Sequence, residues 1–194
     1  MKVALVPLNP IVGDLAGNAK LVRVAAETHR AADLIVLPEL CLTGYPPRDL
    51  LLHGSFIDAC ERAVDELASS VEGGPPVVIG APLRHPTRPN AVTNSLVVLR
   101  DGGRHARYDK RLLPTYDVFD EWRYFVPGDR PVVFDVAGER VGLSVCEDLW
   151  GGVDTGTESR YANDAEPIAE LVEAGATLIL NPSASPFVSG KHDR

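Results

Sequence analysis

Apolar residues in this chain fall into short runs that alternate, over the first half, with stripes at helical spacing. Val3 to Leu8 reads as a first strand. Asn18 is placed to cap a helix whose face is Leu21, Val24 or Ala25, and Thr28, ending near Ala31-Ala32. Leu34 to Leu37 is a continuous apolar run stopped by Pro38, as suits a strand buried on both faces. Strand, helix, strand is the pattern of a βαβ unit. Ser55 caps a second helix reaching about Ser69, broken by Gly73-Gly74-Pro75-Pro76, and Val77 to Ala81 repeats the buried-strand pattern.

The pattern then changes. Val92–Leu99 and Arg104–Tyr108 flank Asp101-Gly102-Gly103, a hairpin signal. A second hairpin joins Val132–Val136 to Arg140–Val145 through Ala137-Gly138-Glu139. Gly151 to Asn163 is polar and glycine-rich and reads as a surface loop. Glu166 to Ala174 is a short amphipathic helix, and Thr177–Leu180 is a last buried strand. The expected fold is α/β with mixed sheets.

Composition narrows the function. At 194 residues the chain can bury a real core, and 45% apolar with 24% charged residues is ordinary for a globular protein. A formal charge of −8 argues against nucleic acid or an anionic membrane as partner. No run is long enough to span a membrane and no signal peptide is visible, so a cytoplasmic protein is expected. Cys41, Cys60 and Cys146 lack the spacing of a disulfide framework or a zinc site. Cys60 shares a stripe with Phe56, Ile57, Val64 and Leu67 and reads as packing; Cys41, His53 and Cys60 lack metal-site spacing, and no metal is expected.

Four strand ends carry reactive or polar groups: Glu39, Lys110, Cys146 and Ser183/Ser185. The run Val141, Leu143, Val145 delivers a thiol to its own C-terminal edge, where ligands gather in open α/β sheets. A nearby ammonium stabilises a thiolate and the oxyanion formed when sulfur attacks a carbonyl. A carboxylate can take the thiol proton and return it to a leaving amine. Together these fit hydrolysis of a carbon–nitrogen bond through a thioester. None of the five histidines is placed for a papain-like alternative. Between Lys110 and Cys146, five of the twelve aromatics (Tyr116, Phe119, Trp122, Tyr124, Phe125) interleave with Asp117, Asp120 and Glu121, as in a flap or a pocket wall.

The triple Glu39, Lys110, Cys146, in the contexts LPEL, DKRLLP and VCEDLW, resembles the Glu-Lys-Cys triad of the nitrilase superfamily of carbon–nitrogen hydrolases. GYPPRDLLL, LLPTYDVFDEWRYFVPGD and NPSASPF resemble the glutaminase domains of glutamine-dependent NAD synthetases. The resemblance implies a four-layer α-β-β-α sandwich and attack by Cys146 on the glutamine side-chain amide. Glu39 would serve as base and then acid, Lys110 as oxyanion partner and Glu121 as accessory glutamate. It further implies that Tyr116, Ser185 and Lys191 bind glutamine and that Tyr45, Phe119 and Glu147 line the pocket. A cation at 191 suits the substrate's α-carboxylate.

By the same resemblance residues 1–194 form a carbon–nitrogen hydrolase domain that is incomplete on its C-terminal side. No GxxxxGK[ST] loop is present, so ATP, Mg and deamido-NAD are expected only at a synthetase domain absent from this chain. The glutaminase step needs no cofactor, the full-length protein is expected to form homo-oligomers, and a synthetase domain in cis or trans is the expected partner. Two other readings stand beside this one: a free-standing amidase acting on another small amide, and a non-catalytic assembly module.

Overall fold

Two sheets, stacked face to face, carry the chain from one strand end to the next. The computed structural model describes residues 1–150 and 165–185. The first sheet holds β1 (Val3–Leu5), β2 (Leu34–Val36), β3 (Val77–Arg84), β4 (Val92–Arg100) and β5 (Gly103–Asp109), in that order. β1, β2 and β3 run parallel, and β4 and β5 continue antiparallel. The second sheet holds β6 (Val133–Val136), β7 (Glu139–Leu143) and β8 (Leu178–Leu180), with β7 and β8 parallel. Both sheets are therefore mixed.

Alternation along the strands builds the layers. In the first sheet Ile35, Val77, Ile79, Ala81, Val97 and Leu99 face α1 (Leu15–Thr28) and α2 (Gly54–Ser70), meeting Val22, Ala25, Val64 and Leu67. Their neighbours Leu34, Val36, Val78, Leu96, Val98 and Tyr108 face the other way, against Phe134, Val141, Leu143 and Leu180 of the second sheet. On the far side of β7, Gly142 leaves room for Leu171 of α3 (Pro167–Glu173). Helices, sheet, sheet, helix is the four-layer order.

Several boundaries differ from the sequence expectation. α1 starts earlier, capped by Asp14, whose carboxylate accepts from Gly17 N–H at 2.9 Å. Asn18 sits inside the helix with Leu21 and Val24 exposed. Its buried amide bonds the backbone of Ile11 in both directions and the carbonyl of Leu42, so it staples two loops rather than capping. His53, not Ser55, precedes α2. β1 is shorter than predicted and β3 longer. Both hairpins close through two residues, Asp101-Gly102 and Ala137-Gly138, all with positive φ, the geometry that matches strand twist. β7 ends at Leu143 because the Val145 N–H is taken by the Asp148 carboxylate at 2.9 Å.

Cys60 is buried in α2 as packing, beside Ile57, Val64 and Leu67. Among the described residues no His/Cys/Asp/Glu group has the arrangement of a metal site, and no helix is long and apolar enough to cross a membrane. The loop expected over 151–163 lies outside the described residues.

Candidate active site

Glu39 follows β2, Lys110 follows β5 and Cys146 follows β7, so three strand ends meet at one edge of the sandwich. The Glu39 loop lies directly on β3. A Cβ at Gly80 would collide with the backbone of Leu40, so only glycine lets the loop pass this close. The Gly80 carbonyl in turn accepts from Leu42 N–H at 3.1 Å. Lys110 is held by its backbone from both sides, its N–H donating to Asn94 O at 2.8 Å and its carbonyl accepting from Gly128 N–H at 2.9 Å. A satellite core of Leu40, Leu51, Ile57, Val92, Leu113 and Phe125 supports these loops from below.

The side chains converge on Lys110. Its Nζ lies 2.8 Å from Glu39 Oε1 and 2.8 Å from Glu121 Oε1, with all three residues buried. Glu121 opens a single 3₁₀ turn (Glu121–Arg123) and also accepts from the Tyr45 hydroxyl at 2.9 Å. Glu39 Oε1 accepts a second bond from Asn94 Nδ2 at 2.7 Å, while among the described residues its Oε2 accepts only from Ala184 N–H at 3.0 Å. Oε1 is thus saturated and Oε2 keeps lone-pair capacity. Among the described residues Lys110 makes two side-chain hydrogen bonds, and an ammonium has three to give.

Charge and burial set the protonation states. Burial works against the Lys110 charge, yet Glu39 and Glu121 together outweigh it and hold the amine well above its ordinary pKa. Burial pushes Glu121 up to about 7, with Glu39 adding to the rise and Lys110 resisting it. Cys146 is 8% exposed. Burial lifts its thiol to about 12, Glu39 pushes the same way, and Lys110 pulls down. The lysine's pull on the sulfur, expected from the sequence, is present but loses to desolvation. At neutral pH Cys146 is a thiol that needs a base, not a preformed thiolate.

Cys146 itself has φ +45°, a left-handed conformation unusual for a side chain with a Cβ. It opens the 3₁₀ turn Cys146–Trp150, and its N–H donates to Pro182 O at 3.1 Å. The sulfur lies 4.0 Å from Ser185 Oγ. Beyond it a wall of aromatic rings leads from Glu121 to Glu147. Tyr45 packs on Phe119 at 6.2 Å, Phe119 meets the edge of Tyr116 at 5.4 Å, and the Tyr116 hydroxyl donates to Glu147 at 2.8 Å.

The structure therefore brings Glu39, Lys110, Glu121, Cys146 and Ser185 to one edge, and gathers Tyr45, Phe119, Tyr116 and Glu147 into one wall. Lys191 lies outside the described residues. Sequence reasoning missed Asn94, the Ala184 N–H and the hydrogen-bonding part taken by Asp148. Asn94 had a signal: Thr93-Asn94-Ser95 is a polar triplet inside an apolar strand, fully buried here. The cavity of about 520 Å³ between β1, β2 and β8 is lined by Val3, Leu5, Val36 and Leu178–Leu180, and among the described residues its lining carries no ionisable group. The chemistry is elsewhere.

Comparison with known proteins agrees with this geometry. The family model described as Carbon-nitrogen hydrolase matches residues 2–154. The chain belongs to the carbon–nitrogen hydrolase family. It is 37% identical to the glutamine-dependent NAD(+) synthetase of Synechocystis sp., covering 98% of this chain and 35% of that protein. Against the protein of that name from Xanthomonas campestris it is 39% identical, covering 99% and 33%. Among solved structures, the glutamine-dependent NAD+ synthetase of Acinetobacter baumannii superposes with a TM-score of 0.84 at 30% identity, over 99% of this chain and 34% of that one. An amidase from Nesterenkonia sp. superposes with a TM-score of 0.74 at 26% identity, over 99% and 68%. The carbon–nitrogen hydrolase chain thus has the nitrilase-like sandwich and spans about a third of the length of the curated relatives it matches.

Proposed function

We propose that this carbon–nitrogen hydrolase domain cleaves the side-chain amide of glutamine through a Cys146 thioester and releases ammonia for an amidation step. Glu39 Oε2 takes the Cys146 proton as the sulfur attacks the amide carbon. The tetrahedral oxyanion receives the remaining Lys110 N–H. Glu39 returns the proton to the amide nitrogen, the carbon–nitrogen bond breaks, and ammonia leaves. Glu39 then deprotonates a water that attacks the thioester, and glutamate departs as the sulfur regains its proton. Glu121 keeps Lys110 charged and Tyr45 in place.

The observation that carries the reading is the buried Lys110 held 2.8 Å from two carboxylates, beside a thiol that feels all three charges. A binding module has no need of that arrangement. Glutamine is favoured over a simple aliphatic amide by the polar Tyr116–Glu147 pair in an otherwise aromatic wall. Tyr116, Ser185 and Glu147 would contact the amino acid, with Lys191 as partner for its α-carboxylate. In the relatives, named for NAD synthesis, the ammonia would serve the synthetase part. ATP, Mg and deamido-NAD belong to that step and to no residue proposed here.

Ammonia release from glutamine and from propionamide, measured side by side on the full protein, tests this. Glutamine is expected to turn over and propionamide to lag far behind. Turnover of propionamide with glutamine inert would replace the glutaminase with a free-standing amidase.

A further inference from the structure

Asp148 is fully buried two residues after the nucleophile, and its carboxylate is satisfied by four donors. Oδ2 accepts from the Tyr108 hydroxyl at 2.8 Å and from Val145 N–H at 2.9 Å. Oδ1 accepts from Arg111 N–H at 3.1 Å and from Leu112 N–H at 2.9 Å. These donors are not scattered. Tyr108, Arg111 and Leu112 bracket Lys110 in the chain, and Val145 immediately precedes Cys146. One carboxylate therefore joins the backbone that carries the amine to the backbone that carries the sulfur. Arg111 is anchored again through its guanidinium, which pairs with both oxygens of Glu170 on α3 at 2.7 and 2.9 Å.

We propose that Asp148 is a positioning residue that sets the distance between the Lys110 ammonium and the Cys146 sulfur. The proposal rests on Cys146 being the nucleophile. Lys110 and Cys146 come from different sheets, so no strand ladder fixes their separation. Cys146 also holds a left-handed φ, a conformation that persists only where neighbouring bonds over-determine it. Asp148 supplies such bonds on both sides: it clamps Val145 through its side chain, and its own N–H donates to Val145 O at 2.9 Å. An amide at this position would offer one acceptor oxygen where the carboxylate offers two. It would turn an NH₂ group toward the Val145 N–H and the Tyr108 hydroxyl.

Asp148→Asn and Tyr108→Phe, each made in the full protein, test this. Folding would be checked by circular dichroism, kcat and KM measured with glutamine, and the rate of Cys146 alkylation by iodoacetamide followed by mass. Asp148→Asn is expected to lower kcat about a hundredfold, the effect of a misplacement near 1 Å, with KM within about twofold. Cys146 alkylation should slow with it. Tyr108→Phe removes one of the four bonds and is expected to lower kcat about fivefold in a folded protein. A purely structural tie would lower the melting temperature alone, leaving kcat and alkylation of the folded variants at wild-type values, and that result overturns the proposal. Should Asp148→Asn fail to fold, Tyr108→Phe decides by the same split. If the wild type is inert toward glutamine but its Cys146 alkylation still depends on Asp148, the substrate reading falls and the positioning role stands.

Discussion

Lys110 Nζ and Glu39 Oε1 lie 2.8 Å apart with their side chains 0% and 1% exposed. Removing two charges from water costs more than the pair regains unless further hydrogen bonds complete it. Here Asn94, Ala184 and Glu121 complete it. The arrangement is a site constraint first and a source of stability second.

Breaking it from the lysine side leaves two buried carboxylates facing each other. Lys110→Met is expected to abolish turnover and destabilise the fold by about 3 kcal/mol at pH 8. The loss should shrink at pH 5, where a proton on Glu121, already raised to about 7 with Lys110 in place, relieves the repulsion. Urea unfolding at the two pH values checks both statements.

Glu121 makes a prediction of its own. Its folded pKa is raised from 4.5 to about 7, so between those values the native state binds more protons than the unfolded chain. Stability from this group is present below 4.5 and is lost as pH rises through about 7. Glu121→Gln removes that dependence. The difference in unfolding midpoint between variant and wild type should therefore move in the variant's favour as pH rises from 4.5 to 7, and a flat difference would contradict the assignment.

Cys146 should be the one thiol that reacts quickly. Cys41 and Cys60 are fully buried and pushed up to about 12, chiefly by desolvation, with Glu61 adding to the rise at Cys60. One fast iodoacetamide adduct is expected, lost in Cys146→Ala. Because the Cys146 thiol is also held near 12, the alkylation rate should keep climbing from pH 7 to 9. A plateau near neutrality would mean a preformed thiolate.

Asn94→Leu removes the 2.7 Å bond to Glu39 Oε1 and leaves Lys110 and the Ala184 N–H to orient that carboxylate. A hydrogen bond to a charged group is worth about 1.5–3 kcal/mol. A fall in kcat of roughly 10- to 100-fold is expected, with KM little changed. Unaltered kcat in a folded variant would remove Asn94 from the positioning of Glu39.

Much of this was legible in the chain because strand ends announce themselves. Pro38 after an apolar run and Cys146 after Val145 mark where buried backbone reaches a rim, and the hairpin before Lys110 does the same. Asn18 misled because asparagine caps helices from sequence propensity alone, whereas its contacts with Ile11 and Leu42 are tertiary. Asn94 and the bonding of Asp148 escaped for the same reason. A polar residue inside an apolar strand shows that something must satisfy it, but not which partner arrives from 55 residues away. Glu121 could be placed near the lysine only by resemblance, since a 3₁₀ turn has no periodic signature.

Among the described residues one ammonium faces two carboxylates, so the Cys146 thiol sits beside no surplus of positive charge. Electrophiles should therefore be sorted by sign at this sulfur. Iodoacetamide is expected to alkylate Cys146 faster than iodoacetate does, and equal rates would contradict this sorting. If Cys146 is the nucleophile, a sulfur held as a neutral thiol beside Glu39 and Glu121 should resist anionic oxidants better than it resists an uncharged amide.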